Sequence, residues 1–271
     1  EAAQFVQATQ LDALAIAMRH GVELEHIDYV QIHPTSLYSK KPGRSFLISE
    51  SVRGEGAKLR GKDGQRFANE VLPRDLMTAE IRKQMKKDDR PFVWLDMTVL
   101  GEDVIKHHFP HIYERCLEDG IDATKDWVPV TPAQHYFMGG IHVDGHSRTT
   151  MDHLYAVGET SCNGVHGRNR LASNSLLECV VMGRAAAQRI AAQPLPNNSS
   201  FDSIKPKQYI DKSAKSSKEK QQMLQQLMQQ HVGIVRSNQG LVAAAKQLAL
   251  WRAQWHGADP ALRNQLTLCR L

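Results

Sequence analysis

The stretch His166-Gly-Arg-Asn-Arg-Leu-Ala-Ser-Asn-Ser-Leu-Leu-Glu178 joins a glycine-containing loop to the start of a helix. Apolar residues recur at helical spacing beyond it, so the pattern predicts a helix that begins near Ser173 or Asn174 and continues to Ile190. The first turn of such a helix presents backbone N–H groups at the positive end of the helix dipole, which suits an anionic or electron-rich ring. An ordinary helix N-cap is the alternative that the residues leave open.

Arginines in the same loop favour anion binding. Arg168 and Arg170 are the candidates, because a guanidinium binds a carboxylate or phosphate through paired parallel hydrogen bonds. Four further polar clusters lie at predicted turns or element ends, where functional side chains concentrate. They are Gln31-Ile-His-Pro-Thr35, Ser49-Glu-Ser-Val-Arg-Gly-Glu-Gly56, Pro73-Arg-Asp75 and Gln134-His-Tyr-Phe-Met-Gly-Gly140. Each cluster alone is weak evidence of function, since a lone histidine more often has a structural role and an arginine at a helix start more often forms a surface ion pair.

The composition narrows the class of protein. The 271 residues include 34 Lys and Arg against 29 Asp and Glu, and this formal net charge of +5 does not favour nucleic acid as a partner. No run approaches the roughly 18 apolar residues that a membrane helix needs, so we expect no membrane span. The four cysteines lie far apart without a CxxC pair, so we expect no disulfide framework, no metal site and a reducing, cytoplasmic location.

The hydrophobic pattern also predicts most of the elements. Helices are expected over Leu11–Met18 and Arg74–Lys86, and a short strand over Ile27–Ile32 that Pro34 ends. A helix or two, broken by Pro110, is expected over Val104–Leu117. Residues 196–220 are rich in Pro, Asn, Ser and Lys, which predicts a linker. Two antiparallel helices are expected after it, with a third lost at the C-terminus.

In this order, the motifs resemble the flavoprotein family that contains L-aspartate oxidase and the flavin subunits of succinate dehydrogenase and fumarate reductase. The matching residues run from about Asp12 to Ile190. Within the family, Arg170-Leu-Ala-Ser-Asn-Ser-Leu-Leu-Glu178 resembles the L-aspartate oxidase branch, because the other branch usually has a Gly-Gly pair where this chain has Ala172-Ser173. A fumarate reductase or succinate dehydrogenase flavoprotein subunit is the alternative, as is an inactive dicarboxylate-binding remnant.

The resemblance implies an α+β fold in several parts. Residues 1–27 and 138–195 would form part of a Rossmann-like FAD domain, residues 28–137 an α+β capping domain, and residues 221–271 the start of a truncated C-terminal helical bundle. The substrate would bind between the FAD and capping domains. Gln10-Leu11 stands where a glycine is usual, and the family's glycine-rich dinucleotide-binding turn is absent, so we expect an incomplete chain that binds FAD poorly.

The resemblance also implies roles for single residues. His33 and Ser49 would bind one carboxylate of a four-carbon dicarboxylate, and His135 with Arg170 would bind the other. Arg74, with Glu50 and Arg53 behind it, matches the family's proton-transfer arginine and relay. To accept a proton from the substrate, the Arg74 guanidinium would first have to lose one of its own, and a guanidinium is a very weak acid. Physical chemistry therefore favours charge stabilisation as the role of Arg74. The residues expected to touch FAD are Glu159, Asn174, Ser175 and Leu176.

The expected activity is the oxidation of L-aspartate to iminoaspartate, the first step of NAD biosynthesis. FAD is the implied cofactor, because no side chain can accept a hydride. The implied small molecules are L-aspartate, fumarate or succinate as ligands and dioxygen or fumarate as electron acceptor. Quinolinate synthase is a further implied partner.

Overall fold

The structure, a computed structural model, describes residues 8–39, 41, 45–194, 214–255 and 260–269. The chain divides into two compact units. Described residues of the first unit lie in Val30–Tyr136, and those of the second lie in Val6–Tyr29 and Phe137–Leu271. Both helices and sheets are present, so the predicted α+β fold class is confirmed.

The described part of the chain contains nine α-helices, seven strands and two single-turn 3-10 helices, Thr98–Leu100 and Gly158–Thr160. The helices are α1 (Ala8–Arg19), α2 (Glu50–Gly54), α3 (Arg74–Asp88), α4 (Glu102–His108), α5 (Pro110–Glu118), α6 (Asn174–Ala191), α7 (Ala214–His231), α8 (Asn238–Gln254) and α9 (Pro260–Leu268). The strands are β1 (Leu24–Glu25), β2 (Val30–Leu37), β3 (Lys58–Arg60), β4 (Val93–Asp96), β5 (Val128–Phe137), β6 (Gly140–His142) and β7 (Ser161–Cys162).

The first unit is built on a four-stranded sheet in the order β2-β5-β4-β3. Strand β4 runs antiparallel to both β3 and β5, and Leu95 lies opposite Leu59 on one side and Val128 on the other. Helix α3 contributes Met77 and Ile81, four residues apart and therefore on one face of the helix. All five residues are fully buried in one apolar core, which fixes α3 and the sheet as a single framework.

Strand β2 differs from the prediction that Pro34 ends it. It runs from Val30 to Leu37 and passes through Pro34. Strand β2 neighbours β5 in the sheet, and on its other edge the Leu37 amide donates to the Phe46 carbonyl at 2.8 Å and the Ile48 amide donates to the Thr35 carbonyl at 3.0 Å. This pairing continues the strand past Pro34, although proline itself lacks the N–H donor. The consequence is that Gln31 and His33 belong to one continuous strand and project from the same face of it.

The second unit contains a three-stranded sheet in the order β1-β6-β7, with β1 antiparallel and β7 parallel to β6. Two adjacent glycines allow this sheet to form. A Cβ atom on Gly139 would lie 1.9 Å from the His26 carbonyl oxygen, and one on Gly140 would lie 2.5 Å from the Thr160 carbonyl oxygen. Gly140 also has φ +150°, which side chains rarely adopt. The Gly139-Gly140 pair is therefore a steric requirement of the sheet.

The C-terminal part of the second unit departs from the predictions. Helix α9 (Pro260–Leu268) is present, so the expected loss of a third helix is wrong. Leu224, Leu248 and Trp251 are buried in a shared core with Leu262 of α9, which explains why that helix packs here. Helix α7 begins at Ala214, earlier than the predicted end of the linker at residue 220. Residues 195–213 of that linker lie outside the described residues, and the domain assignment as a whole stays a prediction.

The four cysteines are free, and Cys179 on α6 is the exposed one. Among the described residues, no group of three or more His, Cys, Asp and Glu side chains could hold a metal ion. No helix in the ranges that the structure covers combines the length and apolar character of a bilayer span.

Replacing Gly139 with Ala tests the close approach to the His26 carbonyl. We expect Gly139→Ala to lower the free energy of unfolding by about 1–3 kcal/mol, because the backbone must move to admit the methyl group. Urea denaturation measures the change. Gly145→Ala is the matched control, since no heavy atom lies within 4 Å of a Cβ at that position, and its effect should stay within about 0.5 kcal/mol. Equal stability of the two variants would contradict the steric argument.

Candidate functional site

Two histidines, His33 buried and His135 partly buried, lie on neighbouring strands of the first unit. His33 of β2 is 3% exposed, and its ring centroid lies 5.4 Å from that of His135 of β5, with the rings nearly perpendicular. The Thr35 amide donates a hydrogen bond to His33 Nδ1 at 3.2 Å. Because Nδ1 is the acceptor, the proton of the neutral ring sits on Nε2. His33 is therefore a neutral hydrogen-bond donor through Nε2.

Arg74 stands at the first position of α3 and is held by two partners. Its Nε donates to Glu50 Oε2 at 2.9 Å, and its Nη1 donates to Gln31 Oε1 at 2.8 Å. Arg74 is 8% exposed and Gln31 is 3% exposed, so solvent screens the bond between them little, whereas the Glu50 side chain is 39% exposed. The guanidinium is fixed by groups from β2 and α2.

Arg53 of α2 is a second buried guanidinium. Its Nη1 donates to the Glu70 carbonyl oxygen at 2.5 Å. Its Nε and Nη2 are buried and have no hydrogen-bond partner within the part of the chain that the structure describes. Buried donors without acceptors are costly, so an anionic ligand that accepts from them would be favoured.

Glu70 supports Arg53 from behind. Its carboxylate pairs with Arg66 at 2.6 Å and accepts from the Leu59 amide at 3.1 Å. Burial alone would raise the pKa of the Glu70 carboxyl group, but the Arg66 guanidinium and the Leu59 amide together hold that pKa below its ordinary value. Glu70 is thus a carboxylate whose charge is already matched by Arg66.

The charges of the first unit make the region around His33 positive. Burial lowers the pKa of His33 well below 6.5, and His135, Arg74 and Arg53 lower it further by repelling the imidazolium form. Burial also lowers the pKa of Arg53, an effect that Glu50 opposes. A neutral donor beside two guanidinium groups, with Glu50 as the direct carboxylate partner of Arg74, suits the binding of an anion.

Ser49 caps the N-terminus of helix α2. Its Oγ accepts from the Ser51 amide at 3.2 Å and donates to Ser51 Oγ at 3.1 Å. Its hydroxyl is exposed rather than enclosed. The predicted contact of Ser49 with a carboxylate stays a prediction.

The second unit holds the other predicted residues. Arg170 is 5% exposed, and its Nη1 donates to the Leu171 carbonyl at 3.2 Å. Glu159 Oε1 accepts from the Phe137 amide at 3.1 Å, which ties the short turn that carries it to the end of β5. Arg170 and Glu159 are therefore both held by backbone groups of this unit.

The start of α6 is not an ordinary N-cap. Ser173 precedes the helix in the left-handed conformation, with φ +66°, and its side chain makes no capping hydrogen bond. The first-turn amides are therefore left without that internal acceptor. Leu176 in the same turn is 73% exposed. Backbone donors beside an exposed apolar side chain suit a planar ring with polar edges.

Sequence reasoning missed two members of the site. Gln31 belongs to the cluster 31–35, in which only His33 is predicted to bind the substrate. Glu70 belongs to no predicted cluster. The signal for Gln31 was its position two residues before His33 in a strand, which places both on one face. Glu70 gave no local signal, because it acts through its backbone carbonyl.

A family described as FAD binding domain matches residues 5–176, more than half of the chain. The chain belongs to this FAD-binding family. An L-aspartate oxidase from Clostridium perfringens is 52% identical over 180 residues, covering 66% of this chain and 41% of that protein. An L-aspartate oxidase from Neisseria meningitidis is 40% identical over 277 residues, covering 96% of this chain and 55% of that protein.

A solved structure adds the fold. A mutant FrdA subunit of E. coli quinol fumarate reductase superposes with a TM-score of 0.71 at 28% identity, covering 96% of this chain and 51% of that one. The FAD-binding family member described here thus spans about half the length of the relatives it matches. The resemblance to the flavoproteins of L-aspartate oxidase, succinate dehydrogenase and fumarate reductase is confirmed.

FAD is the cofactor of this family, and the start of α6 fits part of it. The first-turn amides lack a side-chain cap, and the exposed Leu176 offers an apolar contact. A flavin is a ring with polar edges and an apolar face, and these features would suit one end of it.

The buried state of His33 predicts a specific pH dependence of stability. The pKa of His33 is lower in the folded than in the unfolded chain, so between those two values the unfolded chain binds more protons. Stability is therefore lost as pH falls below about 6.5, by up to about 1.4 kcal/mol for each pH unit. His33→Gln removes this contribution. Urea unfolding at pH 7.5 and pH 5.5 should show a smaller pH effect in the variant than in the wild type.

The control for this experiment is His146→Gln, which removes an exposed histidine of the second unit. It should keep the pH effect of the wild type. A His33→Gln protein with the same pH effect as the wild type would show that His33 is protonated equally in the folded and unfolded chain.

Proposed function

We propose that this chain supplies the dicarboxylate-binding residues and part of the FAD-binding residues of an L-aspartate oxidase. The observation that carries the proposal is the buried group of His33, Arg74 and Arg53, in which a neutral donor lies with two guanidinium groups. Relatives named L-aspartate oxidase, at 40% and 52% identity, support the choice of reaction. L-Aspartate carries two carboxylates, and each needs donors of this kind.

The proposed binding residues act on the two carboxylates separately. His33, through its Nε2 proton, and Ser49 bind one carboxylate. His135 and Arg170 bind the other. Fixing both ends of a four-carbon molecule determines where its Cα–H bond points, which converts binding energy into orientation.

Arg74 is proposed as the group that stabilises charge beside the reacting carbon. Glu50 and Gln31 hold its guanidinium in place through two hydrogen bonds, so little reorganisation is needed during reaction. Arg53 lies behind Arg74 and adds positive potential. The alternative role, proton transfer by Arg74, requires a guanidinium to lose a proton, and a guanidinium is a very weak acid.

The reaction removes the Cα hydrogen with its electron pair, and the nitrogen loses one proton as iminoaspartate forms. FAD, when bound, supplies the acceptor for that electron pair. Glu159, Asn174, Ser175 and Leu176 are the proposed residues of this chain that hold it. The predicted electron acceptor, the predicted partnership with quinolinate synthase and the predicted cytoplasmic location stay predictions.

A fumarate reductase or succinate dehydrogenase flavoprotein is the second candidate. The superposition on the E. coli FrdA mutant, with a TM-score of 0.71, favours it. The two candidates differ in whether an amino acid is oxidised and whether a separate electron-transfer partner is needed.

The decisive experiment follows the flavin absorbance of the FAD-loaded protein that carries this chain. Without air, L-aspartate should bleach the flavin bands, and readmitted air should restore them with release of peroxide. Arg74→Leu should keep the bound colour and lose at least about a hundredfold in bleaching rate, because preorganised charge is removed. Wild-type protein that ignores L-aspartate but is reoxidised by fumarate would support the second candidate instead.

Arg170→Lys tests dicarboxylate binding directly. One ammonium cannot reproduce the paired hydrogen bonds of a guanidinium, so we expect the dissociation constant of succinate to rise at least about tenfold. Isothermal titration calorimetry measures it. Arg184→Lys, an exposed arginine on α6, is the matched control and should bind succinate like the wild type. Unchanged affinity in Arg170→Lys would remove Arg170 from the proposed site.

A further inference from the structure

A buried carboxylate in the second unit has no role in the proposed reaction. Glu178 lies in the second turn of α6 and is 7% exposed. Its Oε1 accepts from Asn163 Nδ2 at 2.7 Å, and its Oε2 accepts from His166 Nε2 at 2.7 Å. The carboxylate thus connects the helix to two residues of the preceding loop, 163–173.

The loop is folded into consecutive turns around these anchors. The Val165 amide donates to Asn163 Oδ1 at 3.0 Å, and the Gly167 amide donates to the Gly164 carbonyl at 3.2 Å. The Asn169 amide donates to the His166 carbonyl at 3.3 Å. Arg170 follows at once, so its backbone is placed by the turn that His166 begins.

The opposite side of the loop rests on an aromatic pair. The Arg168 guanidinium lies 5.2 Å from the centroid of the Tyr29 ring, and Tyr29 stacks on His26 with ring centroids 4.2 Å apart. This cation–π contact occupies Arg168, which the sequence suggested as an anion ligand beside Arg170. Arg170 therefore lies in a loop that contacts Glu178 through the buried end of His166 and Tyr29 through the exposed Arg168.

We propose that Glu178 and His166 are positioning residues that fix the loop backbone from which Arg170 reaches a dicarboxylate. The inference rests on the proposed function, since it needs Arg170 to be a carboxylate ligand. A guanidinium forms two parallel hydrogen bonds only when its plane is aligned with the carboxylate, so a mobile backbone at Arg170 weakens binding without removing any ligand. The brace of Glu178 and His166 restricts that motion.

The test measures succinate binding by calorimetry in single and double variants. His166→Ala should raise the dissociation constant of succinate about tenfold, a size typical of coupled neighbouring residues. His166→Gln, which can still donate to Glu178, should stay within about threefold of the wild type. His146→Ala, an exposed histidine of the same unit, is the matched control and should change nothing.

The double variant separates positioning from general destabilisation. If His166 acts through Arg170, adding His166→Ala to Arg170→Lys should weaken binding less than about twofold further. A full tenfold further loss would overturn the inference, because His166 would then act independently of Arg170. Should His166→Ala fail to fold, as judged by circular dichroism, Glu178→Gln removes the carboxylate charge with little change in volume and is held to the same outcomes.

Failure of this inference is distinguishable from failure of the proposed function. Wild-type protein that does not bind succinate, or Arg170→Lys that binds it normally, contradicts the proposed role of Arg170. Wild-type binding that Arg170→Lys weakens and folded His166→Ala leaves unchanged contradicts the positioning role alone.

Discussion

Burial of positive charge is the constraint on which the first unit depends. Arg53 and Arg74 are both nearly inaccessible to solvent, and removing a guanidinium from water costs several kcal/mol. Glu50, Gln31 and the Glu70 carbonyl offset part of that cost. The remaining donors of Arg53 are left without a partner among the described side chains, so the arrangement is stable only because the apolar core holds the surrounding helices and sheet in place.

The same framework explains why the His33 imidazole is neutral. A histidine in this environment stays neutral because burial and the neighbouring cations both oppose its protonation. A neutral imidazole binds a carboxylate by a directional hydrogen bond rather than by charge. The first unit therefore combines two kinds of recognition, charge from the arginines and direction from His33, which together distinguish the position of an anion as well as its sign.

Much of the local structure could be predicted from the sequence. Helices α3 and α6 follow the apolar spacing, and the break between α4 and α5 occurs where Pro110 removes a donor. The passage of β2 through Pro34 could not be predicted, because it depends on pairing with residues 46–48 and with β5, which are separated from it in sequence. The packing of α9 likewise depends on residues distant in sequence. Local patterns carry no information on which distant segments pair or pack with one another.

In the candidate site as well, the sequence predicts some features and others depend on the folded structure. Residue types and turn positions identified His33, Arg74, His135 and Arg170, but their roles came from the family resemblance. The bond from Arg74 to Gln31 joins residues 43 positions apart, and no local pattern reports such a pair. Glu178 was visible as part of a motif, yet its contacts with the loop become apparent only when α6 and the turns before it are folded together.

The distribution of thiols has a practical consequence. Burial raises the pKa of Cys116 and of Cys269 to about 12 and also raises that of Cys162, so these three thiols remain protonated near neutral pH. Cys179 is exposed and directly follows Glu178 on α6. A maleimide dye would therefore react fastest at Cys179, beside the carboxylate brace, and its fluorescence would report on the loop without any engineered cysteine.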